Sequence, residues 1–77
     1  MTDIRFPRLS LEDPLAEGIV ATWLVRDGET VGAGQVLGEV MVEKVSADVE
    51  APVTGTVRLL VAEEATVHQG EVIARIE

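Results

Sequence analysis

The sequence contains no cysteine, no tyrosine, and only one tryptophan and one phenylalanine among its 77 residues. Without thiols, neither disulfide bonds nor thiolate-bound metal can add stability, and the chain suits a reducing compartment. No apolar run approaches the roughly 20 residues that a membrane helix needs, and the start Met1-Thr2-Asp3 resembles neither a signal nor a transit peptide. We expect a cytoplasmic protein, or a protein of the mitochondrial matrix if the source is eukaryotic.

Basic residues are also scarce, because six lysines and arginines stand against 14 acidic residues and give a net charge of −8. This charge argues against nucleic acid or an anionic membrane as the main partner and favours cationic or neutral protein surfaces. A chain of this length forms one domain at most, residues 1–77, and its apolar core must stabilise it unaided.

Valine dominates the apolar residues, and short alternating runs recur between glycines and prolines, whereas helical spacing does not. The pattern predicts an all-β fold. The predicted strands are Ile4–Phe6, Ile19–Val25, Val36–Val42, Ala47–Glu50, Gly55–Val61 and Val72–Ile76, with short extra strands at Thr30-Val31 and Thr66-Val67.

An internal repeat relates the two halves of the chain. Leu24-Val25 returns as Leu60-Val61, and Gly34 returns as Gly70 at the same offset. The other matches are Thr30-Val31 with Thr66-Val67, Val36-Leu37 with Val72-Ile73, Gly18 with Gly55, and Asp3 to Pro7 with Asp48 to Pro52. Because each copy is too small to bury its own apolar side, the repeat predicts a sandwich of two similar β units with approximate two-fold symmetry.

Two segments have no counterpart in the repeat. One is the loop RLSLEDPLAE, Arg8 to Glu17, which the second copy replaces with Val53-Thr54 alone. The other is Met41 to Ala47, which joins the copies and carries Lys44, the only lysine of the chain. Such surface segments are free to contact partners.

We predict that this second segment is a hairpin whose tip residues are Lys44 and Val45. One face of the hairpin is then wholly apolar, but Glu39 faces Glu50, and this repulsion indicates that the register could differ by a residue pair. Without Asn-Gly or Asp-Gly, and with a β-branched Val45, we expect a type I-like tip. The other predicted pairs are Val42 with Ala47, Val40 with Val49, Met41 with Asp48, and Glu43 with Ser46.

Either register places Lys44 at an exposed apex, flanked by Glu43 and near Asp48. A solvated, protonated amine there can act neither as a general base nor as a Schiff-base nucleophile, so we assign no catalytic residue. From these residues alone two interpretations stay open. Lys44 is either an ordinary solvated turn residue, the commoner case, or a site that another enzyme acylates.

The run GEVMVEKVSADVEAPVTGTV, Gly38 to Val57, resembles the lipoyl-attachment motif of 2-oxo acid dehydrogenase complexes. The flanking segments FPRL (6–9) and EGIVATWLVRDGETVGAGQVL (17–37) resemble other blocks of that family, so the likeness covers nearly the whole chain. The resemblance implies a flattened barrel of two four-stranded antiparallel sheets related by a pseudo-two-fold axis. It also implies that Lys44, at a hairpin tip, carries lipoic acid in amide linkage.

By this resemblance the domain is a carrier rather than an enzyme. Its arm would receive acyl groups from a thiamin-diphosphate decarboxylase component, pass them to coenzyme A at an acyltransferase core, and be reoxidised by a flavin-containing dihydrolipoamide dehydrogenase. A lipoate ligase or octanoyltransferase would attach the arm, and the isolated domain is expected to be a monomer. The resemblance assigns recognition by these partners to Glu43, Val45 and Asp48 beside the lysine, and to Leu11, Glu12 and Asp13 in the long loop.

This sequence departs from the family pattern at several positions. Glu43 replaces the usual aspartate, Val45 stands where alanine is frequent, and Glu64 stands where a turn glycine is common. The long loop is longer than usual, and we expect it to determine which complex is served.

Several other functions are less consistent with the residues. A biotin carrier shares the fold but typically has methionine on both sides of its lysine, and a glycine-cleavage carrier is longer. An unmodified interaction module, such as the lipoyl-like hairpin domains of membrane-fusion adaptors, has no need of a tip lysine. The single histidine, His68, falls in a turn-like segment without a partner for base catalysis, Trp23 is expected to pack at the core or sheet edge, and the carboxylates lack metal-ligand spacing.

Overall fold

A computed structural model describes residues 1–10, 12–13 and 15–77 of the chain. Alternating apolar residues between turn signals produce strands throughout this part of the chain. Its strands are β1 (Thr2–Arg5), β2 (Glu17–Trp23), β3 (Thr30–Val31), β4 (Val36–Val42), β5 (Val45–Glu50), β6 (Gly55–Leu59), β7 (Thr66–His68) and β8 (Val72–Ile76). Within the described residues, no helix is long and apolar enough to span a membrane.

The strands form two four-stranded antiparallel sheets, with the orders β1-β8-β6-β3 and β5-β4-β2-β7. This arrangement confirms the predicted all-β sandwich. Inward-facing side chains of both sheets form one core, and Trp23 joins it with its indole N–H donating to the Val61 carbonyl at 3.0 Å. The described core residues with no more than 2% exposure are Phe6, Val20, Val31, Leu37, Val40, Val42, Ala51, Val57, Ile73, Ala74 and Ile76.

The two sheets are equivalent pair by pair, which confirms the symmetry that the repeat predicts. Asp3 lies opposite Arg75 in the first sheet, and the repeat-equivalent Asp48 lies opposite Glu39 in the second. One register shift occurs at the same place in both sheets, where Ile73 of β8 and the matching Leu37 of β4 are left without a partner in the neighbouring strand. A second shift is not shared, because β2 and β4 change register between Val20 and Thr22 whereas the equivalent strands β6 and β8 pair without a shift. The two sheets therefore differ by this irregularity in β2 as well as in their side chains and connecting loops.

Left-handed backbone positions also recur at the repeat offset. Gly34 and Gly70 have φ of 86° and 85°, and Gly28 has φ of 88°. The counterpart of Gly28 is Glu64, which adopts φ of 66° although it carries a side chain. This position, where a turn glycine was expected, is therefore occupied by glutamate without a change of the turn.

Three strands, β3, β4 and β8, have the predicted bounds, and the other five differ from the prediction by one or two residues at one or both ends. β1 begins at Thr2 and ends before Phe6, although the Phe6 amide still donates to the Glu71 carbonyl at 2.8 Å. β2 is displaced toward Glu17, because Glu17 pairs with His68 at its start. The same pairing places His68 in β7 rather than in a turn, so that prediction was wrong, although its side chain is solvent-exposed as expected.

Candidate functional site

The hairpin β4–β5 carries Lys44, and its register differs from the prediction. Val42 lies opposite Val45, so the two tip residues are Glu43 and Lys44 rather than Lys44 and Val45. Glu43 has a positive φ of 55°, which is not the type I-like geometry that we predicted. This geometry leaves the β-branched Val45 in the strand, where its stiff side chain is favoured.

The observed partner of each β4 residue near the tip lies two positions earlier in β5 than predicted. Because side chains alternate along a strand, a slip of two residues keeps every side chain on its own face. Val40 now lies opposite Ala47 and Gly38 opposite Val49, so the inner face stays apolar. On the outer face Glu39 lies opposite Asp48 instead of Glu50, and two like charges still meet. The apolar pattern determines the faces but not the register, which explains why the prediction could fail by this step.

Lys44 projects from the exposed tip, with exposed residues on both sides. Among the described residues, the ion pairs involve Arg58, Arg75 and His68, and none involves Lys44. The amine is therefore accessible and unpaired among the described residues. An external enzyme can acylate only a group that it can reach in this way.

An open groove of about 320 Å³ lies beside the lysine. The tip forms one wall, and the first part of the long loop forms the other. Three of the residues assigned to recognition, Glu12, Glu43 and Val45, meet in this groove. The residues that line the groove are Leu9, Ser10, Glu12, Val42, Glu43 and Val45.

Two other residues assigned to recognition, Asp48 and Asp13, are not among those that line the groove. Asp48 is exposed on the outer face of β5, four residues beyond Lys44, and at ~3.3 Å per residue this is about 13 Å from the tip. Its part in recognition stays a prediction. Asp13 is exposed in the loop, where its carboxylate accepts the Leu15 amide at 3.2 Å. Leu11 lies outside the described residues.

Gln69 is a functional candidate that the sequence reasoning missed. Its half-buried side chain forms hydrogen bonds with the backbone of Ser10, Asp13 and Ala16 in the long loop. No residue spacing indicates such a role. The repeat offered one signal, because Gln69 stands where the first copy has Ala33.

Comparison with known proteins identifies the family. Residues 2–76 match the model of the Biotin_lipoyl family, described as "Biotin-requiring enzyme". This match covers nearly the whole chain. The chain belongs to the biotin/lipoyl attachment domain family.

Relatives and a solved structure place it among the lipoyl domains of that family. The dihydrolipoyllysine-residue acetyltransferase component of the pyruvate dehydrogenase complex of Corynebacterium glutamicum is 41% identical over 97% of this chain and 11% of that protein. The lipoamide acyltransferase component of the branched-chain alpha-keto acid dehydrogenase complex of Bacillus subtilis is 41% identical over 87% of this chain and 16% of that protein. The chain thus spans less than one fifth of these relatives.

The structural comparison supports the same assignment. The lipoyl domain of the 2-oxoglutarate dehydrogenase complex of Azotobacter vinelandii superposes with a TM-score of 0.81 and 28% identity, covering 100% of this chain and 96% of that one. Our chain is therefore a lipoyl domain, a carrier rather than a catalyst, of the kind found in acyltransferase components of 2-oxo acid dehydrogenase complexes.

Proposed function

We propose that Lys44 is the residue to which lipoic acid is attached, and that the resulting arm carries acyl groups and electrons within a 2-oxo acid dehydrogenase complex. The observation that carries this proposal is the position of the only lysine, exposed at the tip of the β4–β5 hairpin and without an ion pair among the described residues. Attachment forms an amide between the lysine Nζ and the carbonyl carbon of a lipoyl group activated as its adenylate. The bond from that carbon to AMP breaks, AMP leaves, and the amine releases a proton.

When bound, lipoic acid supplies a dithiolane that accepts an acyl group and two electrons together. The chain contributes the position of the arm. Antiparallel pairing fixes both sides of the tip, and the amide removes the positive charge of Lys44 beside Glu43. A neutral arm on a rigid hairpin is presented at high local concentration to each active site that the tether can reach.

The partners in this proposal are a thiamin-diphosphate decarboxylase component, the acyltransferase core, a dihydrolipoamide dehydrogenase, and the lipoate ligase or octanoyltransferase that attaches the arm. The comparison proteins belong to pyruvate, branched-chain and 2-oxoglutarate complexes, so the proposal names the class of complex. We further propose a cytoplasmic location in a bacterium, or the mitochondrial matrix in a eukaryote, which the lack of cysteine supports.

Biotin is the second candidate, because the matching family model covers biotin carriers as well. The neighbours of Lys44 in this chain are Glu43 and Val45, whereas biotin acceptors typically have methionine at both positions. Lipoate is therefore the favoured group.

A modification assay tests the attachment site. The chain is incubated with ATP and either lipoate with a lipoate ligase or biotin with a biotin ligase, and its intact mass is measured. We expect one lipoyl group on the wild-type chain, none on Lys44→Arg, and no biotin on either. A biotin adduct, or no lipoyl adduct from a ligase that modifies another lipoyl domain in parallel, would contradict the proposal.

A further inference from the structure

The turn between β7 and β8 holds the long loop through one side chain. Gln69 accepts the Ser10 amide on its Oε1 at 2.7 Å and donates from Nε2 to the carbonyls of Asp13 and Ala16 at 3.1 and 3.2 Å. Since only the NH₂ group can donate to two carbonyls, these partners also determine the orientation of the amide. One side chain thus satisfies three backbone groups over seven residues of loop.

The other hydrogen bonds of the loop are local. Leu9 donates to the Pro7 carbonyl, Ala16 donates to the Asp13 carbonyl, and Asp13 donates to the Ser10 hydroxyl. Among residues 8–10, 12–13 and 15–16, the hydrogen bonds to the rest of the molecule all have Gln69 as partner. Apart from the packing of Leu9 and Ala16 on the core, Gln69 is therefore the polar attachment of this loop to the sandwich.

The repeat shows that this attachment belongs to the long loop and not to the turn. The equivalent turn of the first copy has Ala33 in place of Gln69, and the Ala33 amide donates to the Thr54 hydroxyl of the short loop at 3.0 Å. The short loop thus reaches the backbone of the turn with its own Thr54 hydroxyl group. The longer loop of the first copy requires a side chain that reaches across to it.

The loop that Gln69 holds forms one wall of the groove beside Lys44. Ser10, whose amide binds Gln69, lines that groove together with Leu9 and Glu12. Gln69 itself is not among the lining residues, so it acts on the groove only through the loop.

We propose that Gln69 is a positioning residue, which holds the loop wall of the groove in the conformation that the decarboxylase component recognises beside Lys44. The inference rests on the proposed function. Because recognition requires the held conformation, releasing the loop lowers the fraction of molecules that can bind and raises KM, while the bound complex reacts at the same kcat.

The experiment compares Gln69→Ala, Gln69→Glu and a matched control, Gln35→Ala, in the lipoylated 77-residue chain. Gln35 is an exposed glutamine whose Oε1 accepts a hydrogen bond from the Gly32 amide at 3.1 Å in the equivalent turn, and it forms no hydrogen bond with residues 8–10, 12–13 or 15–16 of the long loop. Gln69→Glu keeps the size and the acceptor for Ser10 but removes both donors. Amide exchange at Ser10 and the kinetics of reductive acylation by a decarboxylase component are measured on each.

In Gln69→Ala we expect faster exchange at Ser10 and a KM about tenfold higher at unchanged kcat, because about one molecule in ten keeps the competent loop. In Gln69→Glu the Ser10 amide stays protected and KM still rises, while Gln35→Ala matches the wild type in both. Unchanged exchange at Ser10 in Gln69→Ala, or an unchanged KM with faster exchange, would overturn the proposal. Failure of the proposed function is seen separately, as a wild-type Lys44 that takes no lipoyl group.

Discussion

The two sheets of this sandwich have equivalent strand orders but differ in charge. In the sheet β1-β8-β6-β3, Asp3 and Arg75 face each other and form an ion pair at 3.0 Å. In the sheet β5-β4-β2-β7, which carries the lysine hairpin, the equivalent residues are Asp48 and Glu39, and they are both acidic. The strands of this second sheet contain no lysine or arginine, whereas those of the first contain three arginines.

This contrast shows which part of the repeat serves folding and which part serves function. Inward-facing residues are equivalent in both sheets, because one core requires the same apolar faces from each. The outer face of the lysine hairpin has two acidic residues opposite each other, Glu39 and Asp48, whereas the other sheet has an ion pair at the equivalent position. A surface that tolerates two facing acidic residues has not been optimised for stability alone.

The largest expected effect on stability comes from breaking the close approach at Gly18. A Cβ there would lie 2.4 Å from Phe6 Cζ and 2.8 Å from the Met41 carbonyl oxygen. Because the Phe6 ring is buried, Gly18→Ala should lower the free energy of unfolding by about 3 kcal/mol, measured by urea denaturation.

The repeat-equivalent Gly55 is the matched comparison for Gly18. Its Cβ would meet the Glu77 carbonyl oxygen at 2.4 Å and Ile76 Cγ2 at 2.6 Å, but Gly55 is half-buried whereas Gly18 is buried. We expect Gly55→Ala to cost about 1–2 kcal/mol. A Gly18→Ala chain as stable as wild type would contradict the packing described for the lysine end.

The second prediction concerns substitutions at Gly28 and Glu64, the repeat-equivalent turn residues that differ in identity. Glu64 holds a left-handed φ of 66° that disfavours a side chain, so Glu64→Gly should stabilise the chain by about 0.5 kcal/mol after the entropy of glycine is subtracted. Gly28→Ala should destabilise it by about 1 kcal/mol, since its φ is 88°. Thermal unfolding of both variants checks the opposite signs, and two changes of the same sign would show that the turns are not equivalent.

The smallest expected effect comes from making the two sheets electrostatically alike. Glu39→Arg should create with Asp48 the pair that Arg75 makes with Asp3. It should stabilise the chain by about 0.5 kcal/mol, because Asp48 is exposed and position 39 is only half-buried. Arg75→Glu is the reverse control and should destabilise it by a similar amount. Both changes in the free energy of unfolding should be smaller in 1 M salt than at low salt. A gain in stability from Glu39→Arg that does not depend on salt would assign the effect to packing instead.

Much of the fold follows from sequence pattern, whereas the functional surface depends on details that the pattern leaves open. The offset that relates Thr30-Val31 to Thr66-Val67 correctly predicts two equivalent sheets, because those residues pair with equivalent strands. The hairpin register was wrong by one pair, since apolar alternation is unchanged by a two-residue slip and the positive φ of Glu43 has no sequence signal. Gln69 was missed because its partners are backbone groups more than 50 residues away in the chain.

Reductive acylation at the tip is the most direct test of the central claim that Lys44 carries the working arm. The lipoylated chain is mixed with the decarboxylase components of pyruvate, branched-chain and 2-oxoglutarate dehydrogenase complexes in turn, each with its 2-oxo acid, and the product is mapped by peptide mass spectrometry. The account predicts that at least one component adds an acyl group, on the peptide containing Lys44, and that Lys44→Arg receives none. An acyl group elsewhere in the chain, or a lipoylated Lys44 that none of the three acylates, would contradict it.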